Sequence, residues 1–312
     1  MKSSDYVVIT PARNEARSIE MTIQSVIAQS VLPLKWVIVS DGSTDGTDDI
    51  VNRYAADHDW IELLRISERK ERHFAGKVFA FNAGWERLRG LNYKFICSLD
   101  GDITFEPGYF AFLLDKMTTD PALGLAGTPF RELSGESYDY RFVSIDHVSG
   151  ACQLFRRECF ETIGGYTPVK GGGIDHIAVI SARMKGWKTR TFTEKYCLHH
   201  REIGTAQVGP VTAKFKLGRK DYAIGNHPLW ELFRSAYQMT RRPILLGGLA
   251  LGAGYFWASL GGNERPVSKE FVTFHRGEQM VRLRRLFGRA SMPKERTVAD
   301  LESQSEPIRR RI

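Results

Sequence analysis

The amino-acid sequence predicts an α/β protein, with a mostly parallel sheet flanked by helices on both faces and followed by a basic helical appendage. Two observations carry this prediction. Short apolar runs alternate with helix-like segments in the first third of the chain, and positive charge is concentrated in the last third. The chain has 312 residues, 42% hydrophobic and 26% charged, which suffices for a large core and excludes a disordered or polytopic membrane protein.

The alternation is regular up to residue 100. Apolar, β-branched runs predict strands at 6–10, 36–39, 61–66 and 94–99, and helical periodicity lies between them at 18–29, 48–56 and 76–89. Thr47 is placed to cap the second helix, whose first turn is acidic. This order favours a parallel sheet, in which ligands bind beyond the carboxyl ends of the strands. The loops to examine for chemistry are therefore 10–15, 40–47 and 99–103.

After residue 105 the pattern is less regular and the composition changes. Strand and turn residues at 143–155 precede predicted helices at 158–163 and 174–185 and a strand at 189–193. Residues 1–204 contain 25 basic and 27 acidic side chains, whereas residues 205–312 contain 19 and 9. We therefore predict a near-neutral body at 1–204 and a basic appendage at 205–312. A basic surface implies an anionic partner, such as lipid headgroups, nucleic acid or a charged glycan.

Residues 243–262 form an uncharged stretch of 20 residues, as long as a bilayer-spanning helix. Both flanks are basic, with 7 basic against 2 acidic residues at 205–242 and 12 against 7 at 263–312. Because a single span would place one basic flank outside, we favour a membrane-embedded element that does not cross. A true span and a core helix are the alternatives. Segment 276–287 fits a basic amphipathic helix on an anionic membrane.

The cysteines and the first residues bear on the compartment. Four cysteines without a CxxC pair argue against a zinc ribbon or a disulfide scaffold and fit a reducing compartment. The first residues lack the apolar run of a signal peptide, so we expect the N-terminus to remain in the cytosol.

Three polar loops follow the predicted strands at one edge of the sheet. Asp100-Gly101-Asp102 offers two carboxylates for a divalent cation and for the sugar of a nucleotide, although a plain polar turn has the same composition. Asp41 can accept a hydrogen bond from a nucleobase, although its loop also suits a turn and a helix cap. Residues 11–15 add a cation, Arg13, and an acid, Glu15, to the same edge.

Four further side chains carry candidate chemistry. Lys77 can meet a diphosphate, or it can be an ordinary solvated lysine. His199 and His200 suit Mn²⁺ beside carboxylates, with one of the two being structural as the alternative. Asp175 follows a run of glycines and is either the N-cap of a helix or a base near a substrate hydroxyl. The residues alone leave both interpretations of Asp175 open.

The ordered set of segments over residues 5–204 resembles glycosyltransferase family 2, the inverting enzymes of the GT-A fold. The matching segments are PARNEA, VIVSDGSTDGT, AGK with Asn82, SLDGD, SGACQLFRRECFETIGGY and GGGIDHIAVISARMKGW. The resemblance implies a GT-A-like catalytic domain that binds a nucleotide-sugar donor together with Mn²⁺ or Mg²⁺. It implies Asp175 as the catalytic base, metal ligation by Asp102 with His199 or His200, and donor binding by Pro11, Arg13, Glu15, Asp41, Lys77 and Asp100.

Three positions depart from the family pattern. Ile174 stands where the family has a glutamate before the base, Arg13 stands where it has an aromatic, and Ser40 stands where it has an acid before Asp41. None of these departures removes the base or the principal metal ligand. We therefore expect activity, with a nucleotide-sugar-binding scaffold of weak or no activity as the alternative.

The last third is similar to bacterial family-2 enzymes of exopolysaccharide and lipid-linked glycan synthesis. This similarity implies a lipid-linked or polysaccharide acceptor and a peripheral or monotopic enzyme on the cytoplasmic face of the bacterial inner membrane. Gln279 and Arg282 have the spacing of the QxxR element of processive synthases, which we interpret as chance because the tryptophan and the flanking spans are missing. Nucleic acid is not expected as a partner, because the basic tail lacks interleaved aromatics and a recognition motif.

Overall fold

The computed structural model describes residues 5–67, 75–132, 144–200, 209–262 and 264–288. It divides into two compact units. Within the described residues, the first unit comprises 5–168 and 174–200, and the second comprises 169–173 and 209–288. The predicted tail beyond residue 288 lies outside the described residues.

The first unit is built on a seven-stranded sheet. Its strands are β1 Tyr6–Ala12, β2 Lys35–Asp41, β3 Ile61–Ile66, β4 Phe95–Leu99, β6 Leu123–Gly127, β8 Cys152–Arg156 and β9 Lys188–Thr191. They lie in the order β3-β2-β1-β4-β8-β6-β9. Every neighbouring pair is parallel except those of β8, which runs antiparallel to β4 and β6. A smaller sheet pairs β5 Ile103–Thr104 and β7 Phe130–Glu132 with β10 Cys197–His199.

Six helices accompany this sheet in the described part of the first unit. They are α1 Ile19–Ile27, α2 Thr47–Asp57, α3 Ala75–Arg87, α4 Tyr109–Thr119, α5 Arg157–Thr162 and α6 Ile174–Met184. The mostly parallel α/β architecture is therefore confirmed. The central strands are mostly apolar because both of their faces are covered, and every residue of β4 is buried.

The beginning of α2 differs from the prediction. Thr47 is not the cap but the first helical residue, and Gly46 precedes it with a left-handed φ of +92°. Glycine adopts this conformation without the steric cost that other residues have. The Thr47 hydroxyl bonds instead to Asp45, at 2.5 Å, and accepts from the backbone N–H of Glu15, at 2.8 Å. The Thr47 side chain thus links the loops after β1 and β2 rather than capping the start of α2.

The second unit contains four helices in its described part. They are α7 Pro210–Ile224, α8 Pro228–Met239, α9 Leu246–Leu260 and α10 Lys269–Phe287. Glycines bring α7 and α9 together, because a Cβ on Gly218 would lie 1.9 Å from the carbonyl oxygen of Leu251 and one on Gly254 would lie 2.0 Å from that of Phe215. The uncharged stretch of the sequence thus includes a helix of 15 residues. Among the described residues, none of the helices combines the length and the apolar character that crossing a bilayer requires.

A buried polar cluster holds α10 to the turn between α7 and α8. The Gln279 side chain donates to Asn226 Oδ1, at 2.9 Å, and accepts from the backbone N–H of His227, at 2.7 Å. His275 Nε2 lies 2.9 Å from the same Asn226 oxygen. Gln279 therefore satisfies buried polar groups within its own unit.

Candidate active site

The loops after β1 and β2 are joined by reciprocal hydrogen bonds. The backbone N–H of Asn14 donates to Ser43 Oγ, at 3.1 Å, and the N–H of Thr44 donates to Asn14 Oδ1, at 2.9 Å. Asn14 has a φ of +57°, a region in which asparagine is among the better tolerated residues. Because β1 and β2 are parallel and in register up to Ala12 and Ser40, these loops meet at the same edge of the sheet.

Asp41 ends β2 at this edge and is buried. Arg13 Nη1 lies 3.9 Å from Asp41 Oδ2, so the predicted cation and acid are brought together. A Cβ on Gly76 would lie 3.2 Å from the same oxygen, which makes α3 a close neighbour of the carboxylate. Pro11 precedes them within β1, where it pairs with Val39.

A cleft of about 380 Å³ opens beside the Asp41 loop. Its lining comes from two neighbouring strand ends: Gly42, Ser43 and Thr44 after β2, and Arg65, Ile66 and Ser67 around the end of β3. The loop after β3 was not among the loops predicted from the sequence, although β3 ends at the same edge of the sheet. The polar and cationic lining suits a polar, negatively charged ligand.

Asp100 follows β4 and forms an ion pair with Lys77 of α3. Burial alone would lower the pKa of Lys77, but the charges of Asp100, Asp175 and Asp102 outweigh burial and raise that pKa. Burial raises the pKa of Asp100, against the opposing effect of Lys77. The lysine is therefore a permanent cation among three carboxylates, rather than an ordinary solvated lysine.

Asp102 is buried beside His199. His199 Nε2 lies 3.4 Å from Asp102 Oδ2, and the backbone N–H of His200 donates to the carbonyl of Asp102, at 2.9 Å. Antiparallel pairing of β10 with β5 produces this arrangement, because it sets His199 opposite Ile103. His200 points elsewhere, with its Nε2 2.8 Å from the hydroxyl of Thr104. The structure thus separates the two histidines that the sequence left equivalent.

The protonation of the two histidines differs for physical reasons. Burial alone would lower the pKa of His199, but its hydrogen bond to Asp102 and the negative charges around it raise the pKa above its ordinary value. Burial lowers the pKa of His200 and, with the neighbouring His199, outweighs the charge of Asp102, which would raise it. Asp102 and His199 therefore form a polar pair, whereas His200 tends to stay neutral.

The Asp102–His199 pair fits a divalent cation. A carboxylate oxygen and an imidazole nitrogen 3.4 Å apart are donors that Mn²⁺ accepts, and both side chains are largely buried. Among the described residues, no group of three or more His, Cys, Asp or Glu side chains is placed to bind a metal. Two protein ligands are compatible with a cation that completes its shell with water and substrate phosphates, as Mg²⁺ commonly does.

Asp175 lies in the first turn of α6, one residue after the helix begins, so it is not the N-cap. A Cβ on Gly150 would lie 3.0 Å from both the Cβ and the Oδ2 of Asp175. The next residue, Ala151, accepts a hydrogen bond from the backbone N–H of Asp100, at 3.0 Å. The Gly150 loop therefore connects Asp175 to the end of β4.

The predicted residues form one connected region of the first unit. A Cβ on Gly101 would lie 3.5 Å from Glu15 Cγ, which places the first loop beside the Asp100–Asp102 loop. Gly76 and Gly150, which the sequence did not single out for this role, each leave room for a carboxylate. Glycine in a loop gives no sign of which side chain its missing Cβ would have met, so the sequence offered no signal for either.

Residues 7–164, about half of the chain, match the family model described as glycosyl transferase family 2. The protein TuaG of Bacillus subtilis, whose name assigns it to teichuronic acid biosynthesis, is 36% identical over 95 residues, which are 30% of this chain and 34% of TuaG. The poly-β-1,6-N-acetyl-D-glucosamine synthase of Staphylococcus epidermidis is 22% identical over 170 residues, 48% of this chain and 39% of the synthase. The matches span less than half of either relative.

Solved structures share the fold at low sequence identity. The mannosyltransferase PcManGT of Pyrobaculum calidifontis, solved with GDP-mannose and Mn²⁺, has a TM-score of 0.55 at 18% identity, covering 92% of this chain and 88% of its own. TarS residues 1–349 of Staphylococcus aureus, solved with UDP-GlcNAc, have a TM-score of 0.53 at 13% identity, covering 83% and 73%.

Proposed function

The chain belongs to glycosyl transferase family 2, and from that premise we propose that it is an inverting, metal-dependent enzyme that transfers a sugar from a nucleotide-sugar to a membrane-borne glycan. We propose a UDP-sugar as donor and a hydroxyl of a lipid-linked or polysaccharide glycan as acceptor. The TuaG and poly-N-acetylglucosamine synthase relatives support an acceptor of bacterial polysaccharide synthesis. That the chain is a glycosyltransferase follows from its family.

One observation carries the proposal: the cluster around Lys77. Its ammonium group pairs with Asp100 and interacts electrostatically with Asp102 and Asp175. We assign donor binding to Lys77 and Asp100, metal binding to Asp102 and proton abstraction to Asp175. These residues come from α3, the loop after β4 and α6, and their convergence supports a single site for a diphosphate and its sugar.

Asp175 is the proposed general base. It accepts the proton of the acceptor hydroxyl while that oxygen forms a bond to the anomeric carbon, and the bond from this carbon to the diphosphate oxygen breaks. One in-line displacement inverts the anomeric configuration. Gly150 leaves the space in which the Asp175 carboxylate lies, so the base is held at the side of the Asp100 loop.

The donor is proposed to lie along the edge formed by the first three strand-end loops. Asp41 accepts a hydrogen bond from the base, with Arg13 and Glu15 beside it, and the cleft lined by Arg65 gives the nucleoside room. Asp100 faces the ribose or the sugar. Asp102 and His199 would hold Mn²⁺ or Mg²⁺, which, when bound, neutralises charge on the departing diphosphate.

The basic composition of the second unit supports a membrane-borne acceptor. The described second unit, with 13 basic and 5 acidic side chains between residues 209 and 288, is compatible with an anionic membrane surface. We propose the cytoplasmic face of the bacterial inner membrane, with peripheral or monotopic attachment. The alternative function is a nucleotide-sugar-binding scaffold, for which Ile174 in place of glutamate is the only support.

A donor panel tests the proposed function. The purified protein is incubated with UDP-, GDP- and dTDP-sugars and Mn²⁺, with and without a membrane extract as acceptor source, and release of the nucleoside diphosphate is measured. Asp175→Asn is expected to lower transfer about 10²–10⁴-fold, the usual contribution of a general base, while donor affinity is unchanged. Glu158→Gln, an exposed acid on α5, is the matched control. Full activity of Asp175→Asn would refute the base assignment, and binding without turnover of any donor would favour the scaffold.

A further inference from the structure

Helix α9 presents an uninterrupted apolar surface. Leu246, Leu249, Ala253, Phe256, Trp257 and Leu260 recur at helical spacing on one side of the helix, and all six are exposed. Trp257 is 68% exposed and Leu260 is 89% exposed. Ile244 and Leu245 extend this surface beyond the start of the helix with exposures of 63% and 60%. We call the six helical residues the apolar arc of α9.

The opposite side of α9 is already committed to packing. Gly248 lies against the backbone of α8, where a Cβ would come within 2.2 Å of the carbonyl oxygen of Ser235. Leu251 and Gly254 lie against α7, and Tyr255 is buried with its hydroxyl donating to the carbonyl of Asn226, at 2.6 Å. The helix therefore cannot rotate to hide the arc without losing this packing. A surface helix ordinarily turns polar residues outward, so the arc is the reverse of the expected pattern.

Positive charge lies on the N-terminal side of the arc. Arg241 and Arg242 precede Leu246 by five and four residues, and Arg242 is exposed. Residues 209–288 carry 13 basic and 5 acidic side chains, and two of the acids, Asp221 and Glu231, are buried. The net charge that the described second unit presents to solvent is therefore more positive than the net charge counted from all its residues. Two such surfaces repel one another, which disfavours a second copy of the chain as the occupant of the arc.

We propose that the apolar arc of α9 inserts into the headgroup and upper acyl region of an anionic lipid bilayer, with the flanking arginines on the lipid phosphates. A bilayer satisfies both features at once, because it offers apolar volume beneath a negatively charged surface. The exposed indole of Trp257 suits this boundary, where tryptophan is enriched. The helix lies in the plane of the membrane rather than across it. The inference deepens the membrane attachment proposed above by naming the surface that makes it, and it rests on the proposed function for its purpose, access to a membrane-borne acceptor.

Vesicle binding by the full chain tests the inference. Sedimentation is measured with vesicles of phosphatidylethanolamine and phosphatidylglycerol and with vesicles of phosphatidylcholine alone. We expect binding to the anionic vesicles, and we expect Leu249→Ser and Leu260→Ser each to lower the partition coefficient on the order of tenfold. Leu91→Ser is the matched control, because Leu91 is an exposed leucine of the first unit at 39% and its loss leaves binding unchanged.

A fluorescent label provides a second readout that does not depend on affinity. The four native cysteines are buried, so a new exposed cysteine is labelled selectively. An environment-sensitive dye on Ala253→Cys, within the arc, shifts to the blue with anionic vesicles. The same dye on Ser259→Cys, exposed on α9 but outside the arc, does not.

The outcomes separate the inference from its alternatives. Equal binding by the leucine variants and the unsubstituted chain overturns it, as does a chain that binds no vesicles. A substitution that changes only the oligomeric state in light scattering assigns the arc to a second copy and also overturns it. Nucleoside diphosphate release measured without vesicles distinguishes the two proposals. If the proposed function is wrong, donor turnover fails while vesicle binding persists. If the membrane inference is wrong, vesicle binding fails while donor turnover persists.

Discussion

His199 Nε2 lies 3.4 Å from Asp102 Oδ2, although the two residues come from distant parts of the chain. The contact depends on β10, a strand of three residues that pairs with the two-residue strand β5. The small sheet is therefore the element that completes the polar end of the site. His200, the residue after His199 and directly after the end of β10, bonds instead to the hydroxyl of Thr104.

This difference predicts which histidine supports metal binding. Asp102→Asn and His199→Gln are each expected to lower Mn²⁺ affinity by at least about tenfold, because each removes a direct donor, and losing even a supporting partner commonly costs that much. His200→Gln is the matched variant and is expected to leave Mn²⁺ affinity unchanged. Calorimetric titration with Mn²⁺ alone measures this without any need for turnover. Equal losses from both histidine variants would contradict the assignment.

A second prediction concerns the space beside the proposed base. Gly150→Ala places a Cβ 3.0 Å from the Asp175 side chain, closer than ordinary van der Waals contact, so the carboxylate must shift. We expect kcat to fall about ten- to a hundredfold with little change in donor KM, because small displacements of a reacting group are costly.

Steady-state kinetics with a matched glycine variant check this. Gly90→Ala is the control, since a Cβ there meets nothing within 4 Å. Wild-type kcat in Gly150→Ala would show that Asp175 does not need this space. A rise in donor KM with unchanged kcat would indicate that Gly150 contributes to donor binding rather than to the position of the base.

The sequence was sufficient to predict where several candidate residues lie, because the signals for their positions are local. Strands β1 to β4 are apolar runs that end in polar loops, and parallel strands bring those loops to one edge, so Asp41 and Asp100 could be placed in advance. The insertion of antiparallel β8 between β4 and β6 could not, because a strand's own residues do not name its neighbours.

The remaining misses have the same cause. Thr47 was predicted as a helix cap from its neighbours in sequence. Its actual partner, Glu15, lies in another loop and is brought near by the β1–β2 register, which the sequence around Thr47 does not show. The two adjacent histidines were equivalent in sequence and were separated by the pairing of β10. The glycines of α9 would weaken an isolated helix, and in the fold they let α7 and α9 approach closely.

The contact of Thr47 with the first loop leads to a third prediction. Thr47→Val removes a buried hydroxyl that accepts from the N–H of the half-buried Glu15 and donates to Asp45, whose side chain is exposed. We expect a loss of about 1 kcal/mol in the free energy of unfolding, the usual net contribution of a hydrogen bond, because water can replace the hydroxyl at Asp45. Thr44→Val, an exposed neighbour that uses only its backbone N–H, is expected to stay within about 0.5 kcal/mol of the wild type. Urea titrations followed by circular dichroism compare the two, and equal losses would refute a linking role for Thr47.

Glu231 in the second unit supplies a prediction on pH. It is fully buried, and its Oε2 accepts from Asn226 Nδ2, at 3.1 Å, and lies 3.5 Å from Arg234 Nη1. Burial, together with the charge of Asp221, raises the pKa of Glu231 from 4.5 to about 7, against the opposing effect of Arg234. The folded chain therefore holds this proton at pH values where the unfolded chain has lost it.

The stabilisation from Glu231 is fully present below its unfolded pKa of 4.5 and is lost as the pH rises through about 7. The loss reaches up to about 3 kcal/mol, since a tenfold difference in proton affinity between the folded and unfolded chain corresponds to about 1.4 kcal/mol. Glu231→Gln keeps the shape but cannot ionise, so we expect its stability to match the wild type near pH 5 and to exceed it at pH 8. Glu270→Gln, an exposed acid on α10, is the matched control and should follow the wild-type curve. Thermal unfolding at both pH values measures the difference, and parallel pH dependence of Glu231→Gln and wild type would show that Glu231 does not titrate in this range.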